Sequence, residues 1–260
     1  MFGPRLHGLF IFLGTAVAVA VFVLGARRRR PGRGLNRISP ELLVILVGAL
    51  CGGSLGAKLA VVWRYVDTAA APSLLGFLVR SGQSVLGGLA GAYFGAVLTK
   101  RVIGYRAGTG DLFAPAAALG IGIGRIGCLL TEPPGVPTGG TWGVVVDAAR
   151  AARIDGFPPQ WIGVPLHPSF VYEIPFHLGM AALLFRLRAR GAFRDDLFKL
   201  YLLAYAPFRF LIEFVRGNPV VWHGLTRSQL FLIPSIVLLT VAFVRRRSAA
   251  FPSLPEVIDA

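Results

Sequence analysis

Seven stretches of the chain are apolar and long enough, or nearly so, to cross a hydrocarbon core about 30 Å thick. They run over Gly8–Gly25, Leu42–Trp63, Gln83–Thr99, Asp111–Leu130, Pro168–Phe185, Leu197–Val215 and Ser228–Val244. Composition supports the same conclusion. With 55% hydrophobic residues, 15% charged residues and a mean hydropathy of +0.66, the chain is too apolar for an ordinary soluble domain. The expected architecture is an all-α polytopic membrane protein of about seven transmembrane helices, forming a single integral membrane domain over residues 1–260.

The first apolar run is expected to be a retained helix rather than a signal peptide. Its positive cluster follows the apolar stretch, where a signal peptide would place its cleavage site. The net charge of +15 could point to nucleic acid, but the basic residues fall in short clusters between apolar runs, as membrane topology requires. Seven spans put Arg27–Arg30 with Arg33 and Arg37, Lys100, Arg101 and Arg106, the Arg186, Arg188, Arg190 and Arg194 loop, and Arg245–Arg247 on one side, 16 cations in all. The other side holds Arg5, Arg64, Arg80, Arg150, Arg153, Arg216 and Arg227, a total of 7. This bias predicts an N-terminus outside, a C-terminus in the cytoplasm, a long extracytoplasmic loop over 131–167 and a cytoplasmic tail over 245–260. The long loop is rich in Pro and Gly and contains Trp142 and Trp161; residues 73–79 suit a short interfacial piece.

Cys51 and Cys128 both lie in apolar surroundings, with neither a disulfide framework nor a metal-site spacing, and no cofactor is expected. Glycines spaced by four, such as Gly87, Gly91 and Gly95, suit close helix–helix approach. The glycine-rich stretch 120–127 follows no strand, so it does not fit a dinucleotide-binding turn, and no Walker loop is present.

Charges inside the apolar runs carry the functional signal. Arg209, Glu213 and Arg216 fall at i, i+4 and i+7, on one face of a continuous helix. A charge at the centre of a bilayer helix costs roughly 2.5–3.5 kcal/mol on insertion scales, so such a stripe suggests use. Its simplest alternative is a self-neutralising Arg209–Glu213 pair that fixes packing. Three further clusters carry polar groups at comparable depth or at the outer interface. In Gly124-Arg125-Ile126-Gly127-Cys128, flanking glycines would let a phosphate approach both backbone and guanidinium, and arginine's fork suits phosphate. In His167-Pro168-Ser169-Phe170-Val171-Tyr172-Glu173, a histidine at the outer mouth could take a proton near neutral pH, and Glu173 lies one turn inside an apolar span. Thr226-Arg227-Ser228-Gln229 opens the last span. Together they describe a cationic pocket in the outer half of the bilayer, suited to a phospholipid headgroup.

These stretches, with Asp111-Leu112-Phe113-Ala114-Pro115 and Ser84-Val85-Leu86-Gly87-Gly88-Leu89-Ala90-Gly91, resemble the prolipoprotein diacylglyceryl transferase family of bacterial inner-membrane enzymes, over nearly the whole chain and in one order. The resemblance implies a multi-pass inner-membrane protein that transfers diacylglyceryl from phosphatidylglycerol to the lipobox cysteine of a prolipoprotein signal peptide. Its partners would be those two substrates and membrane lipids, with no nucleic acid and no metal. It implies catalytic roles for His167, Glu173, Arg209 and Glu213, and substrate binding by Arg125, Arg216, Tyr172, Gln229, Glu132 and His7. The sequence also departs from the family pattern. Leu86 stands where the family has a histidine, Cys128 where it has asparagine, Ser54 where it has arginine, and His7 where it has tyrosine; Glu132 is offset by one residue. The alternative is a lipid-binding relative without catalysis or with another acceptor.

Overall fold

The computed structural model describes residues 3–28, 38–65, 84–154 and 156–250. Arg29, Arg30, Arg33, Arg37, Arg80, the stretch 73–79 and the tail beyond 250 lie outside the described residues. Among the described residues, seven long helices stand where the seven apolar runs place them: α1 (Gly3–Arg27), α2 (Pro40–Tyr65), α3 (Val85–Val102), α4 (Gly110–Thr131), and, after the short helix α5 (Ala148–Ala151), α6 (Ser169–Ala189), α7 (Leu197–Glu213) and α8 (Arg227–Ala250). Five contain stretches that can cross a membrane by length and composition alone: Arg5–Arg27, Pro40–Val61, Gly110–Thr131, Ser169–Ala189 and Arg227–Arg245. Of the others, α3 is an 18-residue helix ending in Lys100 and Arg101, and α7 is a 17-residue helix that carries Arg209 and Glu213. The protein is an all-α polytopic membrane protein.

Several helix boundaries differ from expectation, two of them with consequences for the reading above. Helix α8 continues to Ala250 and takes Arg245–Arg247 into its last turns. Helix α7 stops at Glu213, two residues before the end of the apolar run, and 214–217 form turns. Gly217, at φ +74°, reverses the chain there, a backbone conformation that glycine adopts at no steric cost. Arg209 and Glu213 therefore share a helical face, but Arg216 does not; it reaches the same region from the turn.

The chain forms two compact units, residues 16–112 and residues 1–15 with 113–260. In the first, α2 and α3 meet along a glycine seam. A Cβ at Gly52 would overlap the Gly91 carbonyl, one at Gly95 the Gly48 carbonyl, and one at Gly56 the Gly87 carbonyl. Backbones at this distance leave no room for side chains, which is the close approach that the four-residue spacing predicts. Ser84 caps α3 by accepting from the Gly87 amide at 3.2 Å, and its own amide donates to the Ala57 carbonyl of α2 at 3.0 Å.

In the second unit the start of α1 packs on the glycine-rich end of α4. A Cβ at Gly14 would strike the Gly120 carbonyl, and one at Gly127 would crowd Phe10 and His7. The segment between α4 and α6 has its own small core of Val146, Ala151, Ile154 and Leu166, with Val144, Phe157, Trp161 and Val164 packed around it. Strands β1 (Val144–Val145) and β2 (Pro165–Leu166) pair antiparallel across it. Trp161 thus belongs to this core, while Trp142 is exposed. Strands β3 (Val220–Trp222) and β4 (Leu225–Thr226) form a hairpin that leads from α7 into α8.

Candidate functional site

Glu173 is the centre of the buried charge in the second unit. It lies one turn inside α6, whose start is fixed by the Ser169 hydroxyl donating to the Pro134 carbonyl, and it is fully buried. Its Oε2 meets Arg125 Nη2 of α4 at 2.7 Å, and its Oε1 accepts from Arg216 Nη1 at 3.0 Å. One carboxylate therefore holds two guanidiniums from different elements. Arg216 is also 3.5 Å from Glu132 Oε2, and Glu132 Oε1 is 3.8 Å from His7 Nδ1. The face of the Phe170 ring lies 4.5 Å from the Arg216 guanidinium, a cation–π contact.

A second buried pair stands beside the first. Arg209 Nη1 is 2.5 Å from Glu213 Oε2, one turn along α7. Glu213 Oε1 also accepts from Asn218 Nδ2 at 2.7 Å and from the Thr226 hydroxyl at 2.9 Å, so the turn after α7 and strand β4 both converge on it. Burial is the main influence pulling Arg216 below the ordinary arginine value, with the Arg209 and Arg125 guanidiniums adding to it and Glu173 and Glu132 opposing it. Three arginines are thus close enough to influence one another, which is unfavourable unless anions lie between them. Among the described residues, Arg125 Nε has no hydrogen-bond partner.

Below this network, Arg125 Nη2 donates to the Tyr205 hydroxyl at 3.4 Å, and Tyr201 lies 2.8 Å from His177 Nδ1. Tyr201, Tyr205, His177 and Asn218 carry no role in the sequence-based expectation. A signal was available for three of them. Tyr201, Tyr205, Arg209 and Glu213 recur every four residues on α7, and Glu173 and His177 do so on α6, so each set lines one helical face. Asn218 gave no such signal, since a turn rather than a helix delivers it.

The remaining candidates are placed as follows. Gln229 is fully buried; its Oε1 accepts from the Thr226 amide at 2.9 Å and its Nε2 donates to the Phe210 carbonyl at 3.2 Å, which ties α8 to α7. The His167 ring packs edge-on to Trp142, with Nδ1 3.3 Å from the Tyr172 hydroxyl. Its backbone is tied toward Arg216: the His167 amide donates to the Val136 carbonyl, and the Val136 amide to the Val215 carbonyl. Leu86 lies in the first turn of α3, and Ser54 is exposed on α2.

A family model described as prolipoprotein diacylglyceryl transferase matches residues 2–245. The chain is 30% identical to a phosphatidylglycerol–prolipoprotein diacylglyceryl transferase of Stenotrophomonas maltophilia, covering 97% of this chain and 92% of that one. It is 30% identical to the protein of the same description from Bordetella avium, over 95% and 92% of the two chains. Its identity to that of Pseudomonas paraeruginosa is 27%, over 95% and 91%. With the match running nearly end to end, the chain belongs to the prolipoprotein diacylglyceryl transferase family.

Proposed function

We propose that this protein transfers the diacylglyceryl group of phosphatidylglycerol to the lipobox cysteine of a prolipoprotein signal peptide, at the bacterial inner membrane. The carrying observation is the convergence of Arg125, Arg209 and Arg216 around Glu173 and Glu213 in the second unit. In the transfer, the acceptor sulfur attacks the glyceryl carbon and the bond from that carbon to the phosphate oxygen breaks. The electron pair stays on the oxygen, giving glycerol phosphate. The reaction therefore needs positive charge at the departing phosphate, and the three guanidiniums supply it. Preorganised donors of this type contribute several kcal/mol, because they need no rearrangement as charge develops.

Glu173 and Glu213 orient the arginines and offset the cost of burying them. His167 takes the proton of the incoming thiol. With Nδ1 against Tyr172, Nε2 is the nitrogen left for that task, and the backbone bonds through Val136 keep the residue beside the Arg216 turn. Tyr172, Glu132 and His7 stand at the rim, where they would contact the headgroup or acceptor. Gln229 acts indirectly by holding α8 on α7.

Leu86, in the family's histidine position, favours a second reading: a lipid-binding relative that transfers nothing or uses another acceptor. One assay separates the two. Purified protein in detergent is given diacyl-labelled phosphatidylglycerol and a lipobox peptide, with Arg209→Ala and His167→Ala alongside. Transfer predicts label on the peptide cysteine, reduced about 100- to 1,000-fold in the arginine variant. An unlabelled peptide, with phosphatidylglycerol still bound by the wild type, would establish the second reading instead.

A further inference from the structure

Cys128 and Glu132 are one helical turn apart on α4, and His7 of α1 lies against them. One donor atom from each, an imidazole nitrogen, a thiol sulfur and a carboxylate oxygen, lies within 4.8 Å of the other two. His7 Nδ1 and Glu132 Oε1 are 3.8 Å apart. Around a tetrahedral zinc ion, with bonds of about 2.0–2.3 Å, ligand atoms stand roughly 3.3–3.8 Å from one another. The donor atoms, within 4.8 Å of one another, must draw together by up to about 1 Å to meet one ion. The linear sequence conceals the cluster because two donors are i and i+4 on one helix while the third comes from the first helix.

We propose that His7, Cys128 and Glu132 form a site for a borderline-soft divalent metal ion, Zn2+ above all, leaving a fourth position for water or an exchangeable ligand. The donor set is of the imidazole, thiolate and carboxylate types that zinc takes, and three protein ligands with an open fourth position is the arrangement of reactive rather than purely structural zinc sites. The ligands are pre-positioned. Gly127 lets α1 approach α4, since a Cβ there would crowd Phe10 and His7. The Thr131 hydroxyl donates to the Gly127 carbonyl at 2.8 Å and lies 3.3 Å from His7 Nδ1, a contact that the imidazole gives up when that nitrogen takes the ion. Cys128 is buried and Glu132 half-buried, so the ion has a polar entrance on the Glu132 side.

Charge is the strongest objection to a cation here. Arg125 Nη1 is 3.9 Å from Cys128 Sγ, and Arg216 Nη2 is 3.5 Å from Glu132 Oε2. Both arginines, however, retain Glu173, at 2.7 and 3.0 Å. On binding, the thiol proton is released to solvent, and thiolate plus carboxylate balance the two positive charges of the metal. The local net charge then rises by one unit, the two charges of the metal less the proton that Cys128 gives up.

The site does not depend on the transfer reaction, and metal binding tests it directly. Full-length protein in detergent, purified without a polyhistidine tag, is titrated with Co2+ as a spectroscopic substitute for Zn2+. The expected result is one equivalent bound with a thiolate-to-cobalt charge-transfer band, lost on adding Zn2+. Cys128→Ser should abolish the band, Cys51→Ser should leave it intact, and His7→Ala or Glu132→Gln should each weaken binding at least ~10–100-fold. Should Cys128→Ser fail to fold, the His7 and Glu132 variants decide the matter by affinity. No charge-transfer band in the wild type, a band that survives Cys128→Ser or vanishes in Cys51→Ser, or unchanged affinity in both other variants would overturn the site.

Discussion

Two guanidiniums on one carboxylate make Glu173 the most exposed point of failure in the charge network. Removing its charge leaves Arg125 and Arg216 facing each other without the anion between them, and breaking a buried ion pair costs about 3–5 kcal/mol. Glu173→Gln keeps the shape and removes only the charge. It should lower stability by roughly that amount in denaturant unfolding followed in detergent, and should sharply reduce label transfer. Adding Arg125→Gln to Glu173→Gln should cost less than the two changes summed, because the second variant removes one of the stranded charges. Additive losses would mean that the two residues do not act as a pair. The sequence revealed this chemistry unevenly. Arg209 with Glu213 is a pairing within one helix, and its spacing of four makes it legible. Arg125 with Glu173 joins two helices, and the rotation that turns them toward each other follows from packing that linear spacing does not encode.

At the level of the elements, glycine acts in two distinct ways. Gly91 on α3 sits where a Cβ would meet the Gly52 carbonyl and the Gly56 Cα, all backbone atoms that cannot rotate aside. Gly91→Ala must therefore push α2 and α3 apart, and is expected to cost about 1–3 kcal/mol. Gly179 on α6 has nothing within 4 Å of an added Cβ. Gly179→Ala should be neutral or should stabilise by up to ~1 kcal/mol through reduced freedom of the unfolded chain. Thermal unfolding of both variants in one detergent is the check, and equal effects would remove the steric account. The seam was legible because a four-residue glycine repeat has one structural consequence on a helix. The end of α7 was not, because Phe214 and Val215 continue the apolar run past Glu213 and hide the turn that Gly217 makes possible. The small core over 144–166 escaped for a related reason. Its four buried apolar residues are scattered among glycines and prolines, with no helical or strand period to mark them.

For the whole molecule, the open quantity is which way the helices run through the bilayer. The cation count, 16 against 7, predicts an N-terminus outside. The site supplies an independent argument. Its residues gather at the end of α4, the start of α6, the end of α7 and the start of α8, the four helix ends that this orientation places on the outer side. A phosphate pocket there would meet lipid of the outer leaflet and an acceptor cysteine emerging on that face; the opposite orientation would turn the pocket toward the cytoplasm. Two single-cysteine proteins, in a background carrying Cys51→Ser and Cys128→Ser, separate these cases. Thr141→Cys lies on the exposed part of the 131–167 segment and Ala189→Cys at the exposed end of α6. In spheroplasts, a membrane-impermeant maleimide should label the cysteine at 141 and leave that at 189 until the membrane is opened. In inverted vesicles the pattern should reverse. Labelling of 189 before 141 in spheroplasts would place the arginine network on the cytoplasmic side, where a secreted precursor's cysteine could not reach it after crossing.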